Sequence, residues 1–112
     1  MMDNPSELIL VITTVKSHSS AENIADELLK QRIAACIQIE EEVNSTYRWD
    51  GQTVTEKECR MTIKSIRAKW PDIKTVVDQL HPYEVPEILK IEVSDCSEKY
   101  RQWILSEIKS QS

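Results

Sequence analysis

The stretch Tyr47-Arg48-Trp49-Asp50-Gly51-Gln52-Thr53-Val54 decides the fold. Asp-Gly between β-prone flanks is the strongest short-range hairpin signal, because a two-residue turn of that kind needs positive φ. Gly51 is the single glycine of the 112-residue chain, so its place in this turn is informative. Upstream, Ile37, Ile39 and Val43 alternate with polar residues; downstream, Cys59, Met61 and Ile63 share one face while Glu58, Arg60, Thr62 and Lys64 share the other. The arms span roughly residues 37–49 and 53–66, more than twice the usual five or six residues of a strand. So long a ribbon, with Tyr47 and Trp49 near its tip, invites aggregation unless another subunit covers it. A closed homo-oligomer is the expectation.

Working outward, Leu8-Ile9-Leu10-Val11-Ile12-Thr13-Thr14-Val15 is a continuous apolar and β-branched run, the pattern of a central strand covered on both faces. Ser19 and Glu22 form a capping-box pattern, and Ala21, Ile24, Ala25, Leu28 and Leu29 follow at helical spacing, which predicts a helix over about 20–34. A second helix opens with Pro71 in its first turn, repeats Ile73, Val76, Val77 and Leu80, and stops at Pro82. Ile88–Val93 alternates as a strand, and a last helix from near Ser97 carries Tyr100, Trp103, Ile104 and Ile108 on one stripe. The order β-α-β-β-α-β with a C-terminal helix predicts an α+β, ferredoxin-like sandwich with a long β-hairpin, residues 1–112 forming a single domain.

Composition excludes several functions. Fourteen Lys and Arg against nineteen Asp and Glu leave a net charge of −5, which repels nucleic-acid backbones and anionic lipid. The strands that carry RNA-stacking aromatics in related folds, here Leu8–Val15 and Glu58–Ile66, contain no Phe, Tyr or Trp. With one glycine, no phosphate-cradling loop or dinucleotide fingerprint can be written. Leu8–Ile12 is too short for a membrane span and lacks a basic flank, so a cytoplasmic protein is expected, binding neither nucleic acid nor membrane. Cys36, Cys59 and Cys96 lack Cys-x-x-Cys spacing and read as free thiols, by default buried small hydrophobes. The Cys-x-x-Cys loop of copper chaperones is absent, Val15-Lys16-Ser17-His18 standing in that place.

The chemically densest segment is His81-Pro82-Tyr83-Glu84-Val85-Pro86-Glu87. Two prolines restrict it, so its imidazole and carboxylates are held at little ordering cost; the plainer reading is a helix end joined to an edge strand, with His81 at the negative end of the helix dipole. His18 reads as a solvated loop residue before the first helix, and Glu40-Glu41-Glu42 as a solvated strand end. Lys64 reads as an exposed or ion-paired lysine that at a subunit cleft could hold an anion. Tyr100 and Trp103 read as core or interface residues. Neither histidine lies in a nucleophile motif, which points to a binding protein and not an enzyme.

Several motifs in order resemble the CutA family of divalent-cation tolerance proteins over Ile9–Ile108: Thr13-Thr14, Arg32-Ile33-Ala34-Ala35-Cys36, Tyr47-Arg48-Trp49-Asp50-Gly51, Lys57-Glu58, Ile63-Lys64, the His81–Glu87 segment and Trp103. The resemblance implies a tight cytoplasmic homotrimer of ferredoxin-like subunits, similar to PII-type signalling proteins, with clefts between subunits. It implies a link to tolerance of copper and other divalent ions, with copper associated with positions that map onto Cys36 and His81. A thiolate and an imidazole, with a carboxylate such as Glu87 nearby, suit copper or zinc. The alternative is a PII-like sensor in which Trp49, Glu58, Lys64 and Tyr83 line a cleft for a small anionic metabolite; a third is a purely structural assembly module. The chain departs from the family at Thr13, where some members carry a second cysteine, at Glu41-Glu42, where Pro-Gly is common, and at Lys16, where proline is usual.

Overall fold

The elements run β1 (Leu8–Val15), α1 (His18–Lys30), β2 (Cys36–Trp49), β3 (Gln52–Ile66), a 3-10 turn over Arg67–Lys69, α2 (Trp70–Leu80), β4 (Leu89–Glu92) and α3 (Glu98–Glu107). They come from a computed structural model that describes residues 4–108; the first three and last four residues of the expected domain lie outside the described residues. Every pairing is antiparallel, and the strand order is β2-β3-β1-β4. This is the expected ferredoxin-like sheet, with β1 inside it. No described helix is long and apolar enough to cross a membrane.

Asp50 and Gly51 take φ of 51° and 75°, the doubly positive geometry of a type I′ loop whose twist matches that of the strands it joins. The hairpin then pairs from Trp49↔Gln52 down to Cys36↔Lys64, interrupted once between Glu40 and Val43. Over that interval β2 advances three residues while β3 advances two, from Arg60 to Glu58, so β2 carries one extra residue. Such a bulge changes which face the following side chains occupy. Ile37 and Ile39 pack against the core, whereas Val43 pairs with Glu58 on the opposite face; the single-face alternation expected of all three breaks here. Glu42, at φ 59°, supplies the backbone kink.

Alternation places Ile9, Val11, Val15, Cys59, Met61 and Ile63 against Ala21, Ile24 and Leu28 of α1 and Ile73, Val76 and Val77 of α2 in one core. Leu8 and Ile66 join a second cluster on Ile104 and Ile108 of α3. Trp103, on the same expected stripe, is instead exposed and stacks on Tyr100 at 5.7 Å. Of the three cysteines, all free, only Cys59 is buried; Cys36 and Cys96 are half-buried.

The start and end of α1 differ from expectation. Ser17, not Ser19, caps it, accepting a hydrogen bond from the Ser20 amide at 3.1 Å, so His18 stands in the first turn and not in the preceding loop. At the other end Arg32 adopts φ 57° and the Ile33 amide reaches back to the Leu28 carbonyl at 3.2 Å, a Schellman closure that stops the helix four residues early. The Arg32 guanidinium then donates to the Glu107 and Ser106 carbonyls at 3.0 and 3.2 Å. It thereby satisfies orphan carbonyls at the end of α3. β4 is shorter than the expected 88–93 and lies exposed at the sheet edge.

Candidate functional site

The Pro-restricted segment after α2 is tied to the sheet at two points. His81, buried, bonds through Nε2 to the Thr14 carbonyl at 2.8 Å, while its Nδ1 accepts the Tyr83 amide at 3.2 Å. That pair of contacts fixes a neutral ring, since Nδ1 must be the acceptor and Nε2 the donor. Burial holds the His81 pKa below the ordinary histidine value, against the opposing effect of its bond to Thr14. The ring also meets Tyr83 edge-on, 4.7 Å between centroids.

Tyr83 reaches across to β3, its hydroxyl donating to Glu58 Oε2 at 2.6 Å. Glu58 is only 6% exposed, and a buried carboxylate requires a donor of this kind. The Tyr83 phenol is pushed well above its usual pKa, first by burial and then by the Glu58 carboxylate, so it remains the donor at neutral pH. Further along the ribbon the Tyr47 hydroxyl donates to Glu56, a bond that raises the Tyr47 pKa.

Between the ribbon and this segment lies an open pocket of about 790 Å³ whose wall includes Tyr47, Trp49, Glu56, Glu58, Tyr83 and Glu87. Its charged groups are four carboxylates, Glu56, Glu58, Glu84 and Glu87, against one cation, Lys16. The bulge builds this wall: beyond it Ser45, Tyr47 and Trp49 pair with Glu56, Val54 and Gln52 and turn to the Glu58 face. The excess of negative charge on this wall favours a cation over an anion, with Glu56 and Glu58 already accepting the Tyr47 and Tyr83 hydroxyls and Glu84 and Glu87 left as the other two carboxylates of the lining.

The structure unites four of the seven expected site residues: Trp49, Glu58, Tyr83 and Glu87 all line the pocket. Lys64 does not join them within the subunit. It lies six residues along β3 from Glu58, about 20 Å away by strand rise, with its ammonium 5.5 Å from the Tyr100 ring centre. Cys36 pairs with Lys64, whereas Thr14, to which His81 is bonded, pairs with Arg60. Cys36 and Thr14 are thus about 13 Å apart along the strands and about 10 Å across them. No single subunit brings Cys36, His81 and Glu87 together. Sequence reasoning did not name Thr14, Lys16, Glu56 and Glu84 as site residues; a period-two step back from Glu58 reaches Glu56, and Glu84 lies in the Pro-restricted segment already marked as chemically dense, whereas nothing local places Thr14 and Lys16 at the pocket.

The comparisons with known proteins match this architecture end to end. The model of the family described as CutA1 divalent ion tolerance protein matches residues 9–107. A divalent-cation tolerance protein CutA from Pyrococcus horikoshii is 36% identical over 102 residues, covering 91% of this chain and 99% of that protein. One from Thermus thermophilus is 36% identical over 95 residues, covering 85% and 92% respectively. Among solved structures, that of CutA1 from the psychrotrophic bacterium Shewanella sp. SIB1 superposes with a TM-score of 0.89 at 36% identity, covering 93% of this chain and 97% of that one. With the family model matching residues 9–107 and a relative 36% identical over 91% of this chain, the chain belongs to the CutA1 divalent ion tolerance family.

Proposed function

We propose that this protein is a cytoplasmic homotrimer that binds divalent metal ions, copper foremost, and serves the cell's response to them as a binding protein and not as an enzyme. The observation that carries the reading is the lining of the ribbon pocket, four carboxylates facing one lysine. The names of its relatives, divalent-cation tolerance proteins, agree with it. In the sensor alternative, a small anionic metabolite would have to enter that acidic field with Lys64 remote from it, which argues for the cation.

Assembly follows from what a lone subunit leaves uncovered. Leu89 and Ile91 of β4 are 52% and 46% exposed, and Val85 and Trp103 are 66% and 43% exposed. Edge-strand apolar groups of this kind are covered in stable proteins. Within such an assembly Cys36 of a neighbouring copy is the thiolate that could complete a site with Glu87. His81 can join only by surrendering the Tyr83 amide from Nδ1, so its first role is to hold the loop that presents Glu84 and Glu87.

Calorimetric titration of the metal-free protein with Cu²⁺ and Zn²⁺, together with its native mass, tests this. Wild-type protein is expected to be three chains and to bind one pocket ion per subunit, an equivalent lost in Glu84→Gln/Glu87→Gln. The Cys36→Ser/His81→Ala variant is expected to bind more weakly while remaining trimeric. Identical isotherms for all three proteins would overturn the reading.

A further inference from the structure

Glu58 and Cys59 are adjacent in β3, so they point to opposite faces of the ribbon. Glu58 serves the pocket described above; Cys59 faces a smaller hollow of about 190 Å³ bordered by His18, Glu41, Glu42 and Lys57, with Lys16 and Glu58 on the rim that it shares with that pocket. We propose that His18, Glu41 and Cys59 form a separate site for a divalent ion of the zinc class, contained within one subunit.

Three independent features of the fold converge there. The Ser17 cap places His18 in the first turn of α1, directed at β2. The bulge between Glu40 and Val43 forces Glu41 out of the ladder opposite Cys59. The thiol itself is 5% exposed and forms the floor. As a result one ligand atom from each residue lies within 4.8 Å of the others, and His18 Nδ1 is 3.3 Å from Glu41 Oε1. A tetrahedral ion with bonds of about 2.0–2.3 Å sets its ligands about 3.5 Å apart, so closing on the ion requires side-chain movement of about 1 Å.

The surroundings fit as well. The second ring nitrogen of His18, Nε2, faces Glu22 Oε2 at 3.6 Å. A carboxylate at that place can close on the ring nitrogen turned away from the metal and fix the orientation of the ring. Lys57, the nearest opposing charge on β3, is turned to Glu42 at 3.9 Å. A sulfur, nitrogen and oxygen set excludes the hard ions Mg²⁺ and Ca²⁺ and leaves a fourth position for water or a second ligand. Binding replaces the S–H bond of Cys59 with a sulfur-metal bond and releases that proton to solvent, without redox change.

Co²⁺ serves as the probe, because a thiolate-to-cobalt charge-transfer band reports sulfur ligation directly, and Zn²⁺ competition gives the affinity. The expected result is a band that saturates at one equivalent per subunit, accompanied by release of about one proton, and is bleached by Zn²⁺. It should persist in Cys36→Ser/Cys96→Ser and in Glu84→Gln/Glu87→Gln, so that this site and the pocket stand or fall separately. Cys59→Ala should abolish it. Because that change touches the core, the surface variants are the stronger test: Glu22→Gln should weaken Zn²⁺ about tenfold, and His18→Gln and Glu41→Gln by more. A spectrum without the band, a band lost in Cys36→Ser, or unaltered Zn²⁺ affinity in both His18→Gln and Glu41→Gln would overturn the proposal. The last result would leave His18 as a ring in contact with the Glu22 and Glu41 carboxylates and nothing more.

Discussion

Replacing Tyr83 with phenylalanine removes one oxygen and tests the joint on which the pocket depends. Glu58 is 6% exposed and takes a 2.6 Å hydrogen bond from the Tyr83 hydroxyl. A hydrogen bond to a charged group contributes about 1.5–3 kcal/mol. Tyr83 is half-buried, so water can reach the vacated position, and the expected cost lies toward the lower end, about 1.5–2 kcal/mol. Urea denaturation measures it as a lower midpoint at unchanged slope. Combined with Glu58→Gln in a double-mutant cycle, the coupling should exceed about 0.5 kcal/mol, the level at which unconnected sites add. The wild-type contribution also has a pH signature. The folded-state pKa of Tyr83 is raised, so the bond's stabilisation is fully present below the unfolded value near 10 and is lost as pH climbs through the higher folded value. Tyr83→Phe should lack this alkaline decline. A cost below about 0.5 kcal/mol with no coupling to Glu58 would refute the idea that this bond anchors the loop.

Three further outcomes are expected. The Thr13 hydroxyl is fully buried and has no hydrogen-bond partner among the described residues, so Thr13→Val, similar in volume, should stabilise the protein by about 1 kcal/mol on the same denaturation assay. His81 has its folded pKa depressed by burial; its stabilising effect is therefore present above the unfolded value near 6.5 and lost as pH falls through the folded one. The stability difference between wild type and His81→Gln should shrink accordingly in acid, and a difference independent of pH from 7 down to about 4 would contradict this sign. Finally, Leu89→Lys/Ile91→Glu replaces exposed apolar residues of β4 and should reduce the native mass to that of one chain by light scattering, whereas an intact oligomer would place the interface elsewhere.

The sheet was legible because its signals are local and agree with one another. Leu8–Val15 announces a strand covered on both faces, Asp50-Gly51 a tight reversal, and Pro71 a helix start, and each feature appears within a residue or two of its expected place. The boundaries of α1 were harder to read, since both depend on residues that sequence preference does not single out. Ser17 and Ser19 are equally good caps by type, and in the fold it is Ser17 that accepts the Ser20 amide. Arg32 occupies a left-handed position that favours glycine. Its side chain gains two carbonyls of α3, 74 and 75 residues away in sequence, a compensation invisible to any local window.

The candidate sites turn on one extra residue in β2. A strand read at strict period two puts Ile37, Ile39, Val43, Tyr47 and Trp49 on a single face, and the aromatic tip then belongs with the core side of the ribbon. The bulge between Glu40 and Val43 reverses that assignment from Val43 onward, because the side-chain period is two and an insertion of one exchanges the faces. Tyr47 and Trp49 thereby meet Glu58, and through it Tyr83. The same insertion pushes Glu41 toward Cys59 and His18. A pocket on one face and a thiol-bearing hollow on the other thus share a single backbone irregularity at Glu41-Glu42. A bulge needs only backbone that tolerates positive φ, which glycine provides freely and Glu42 provides under strain at φ 59°. With glutamates at both of these positions, the bulge itself carries a ligand-bearing side chain, Glu41, where glycine or proline would offer none.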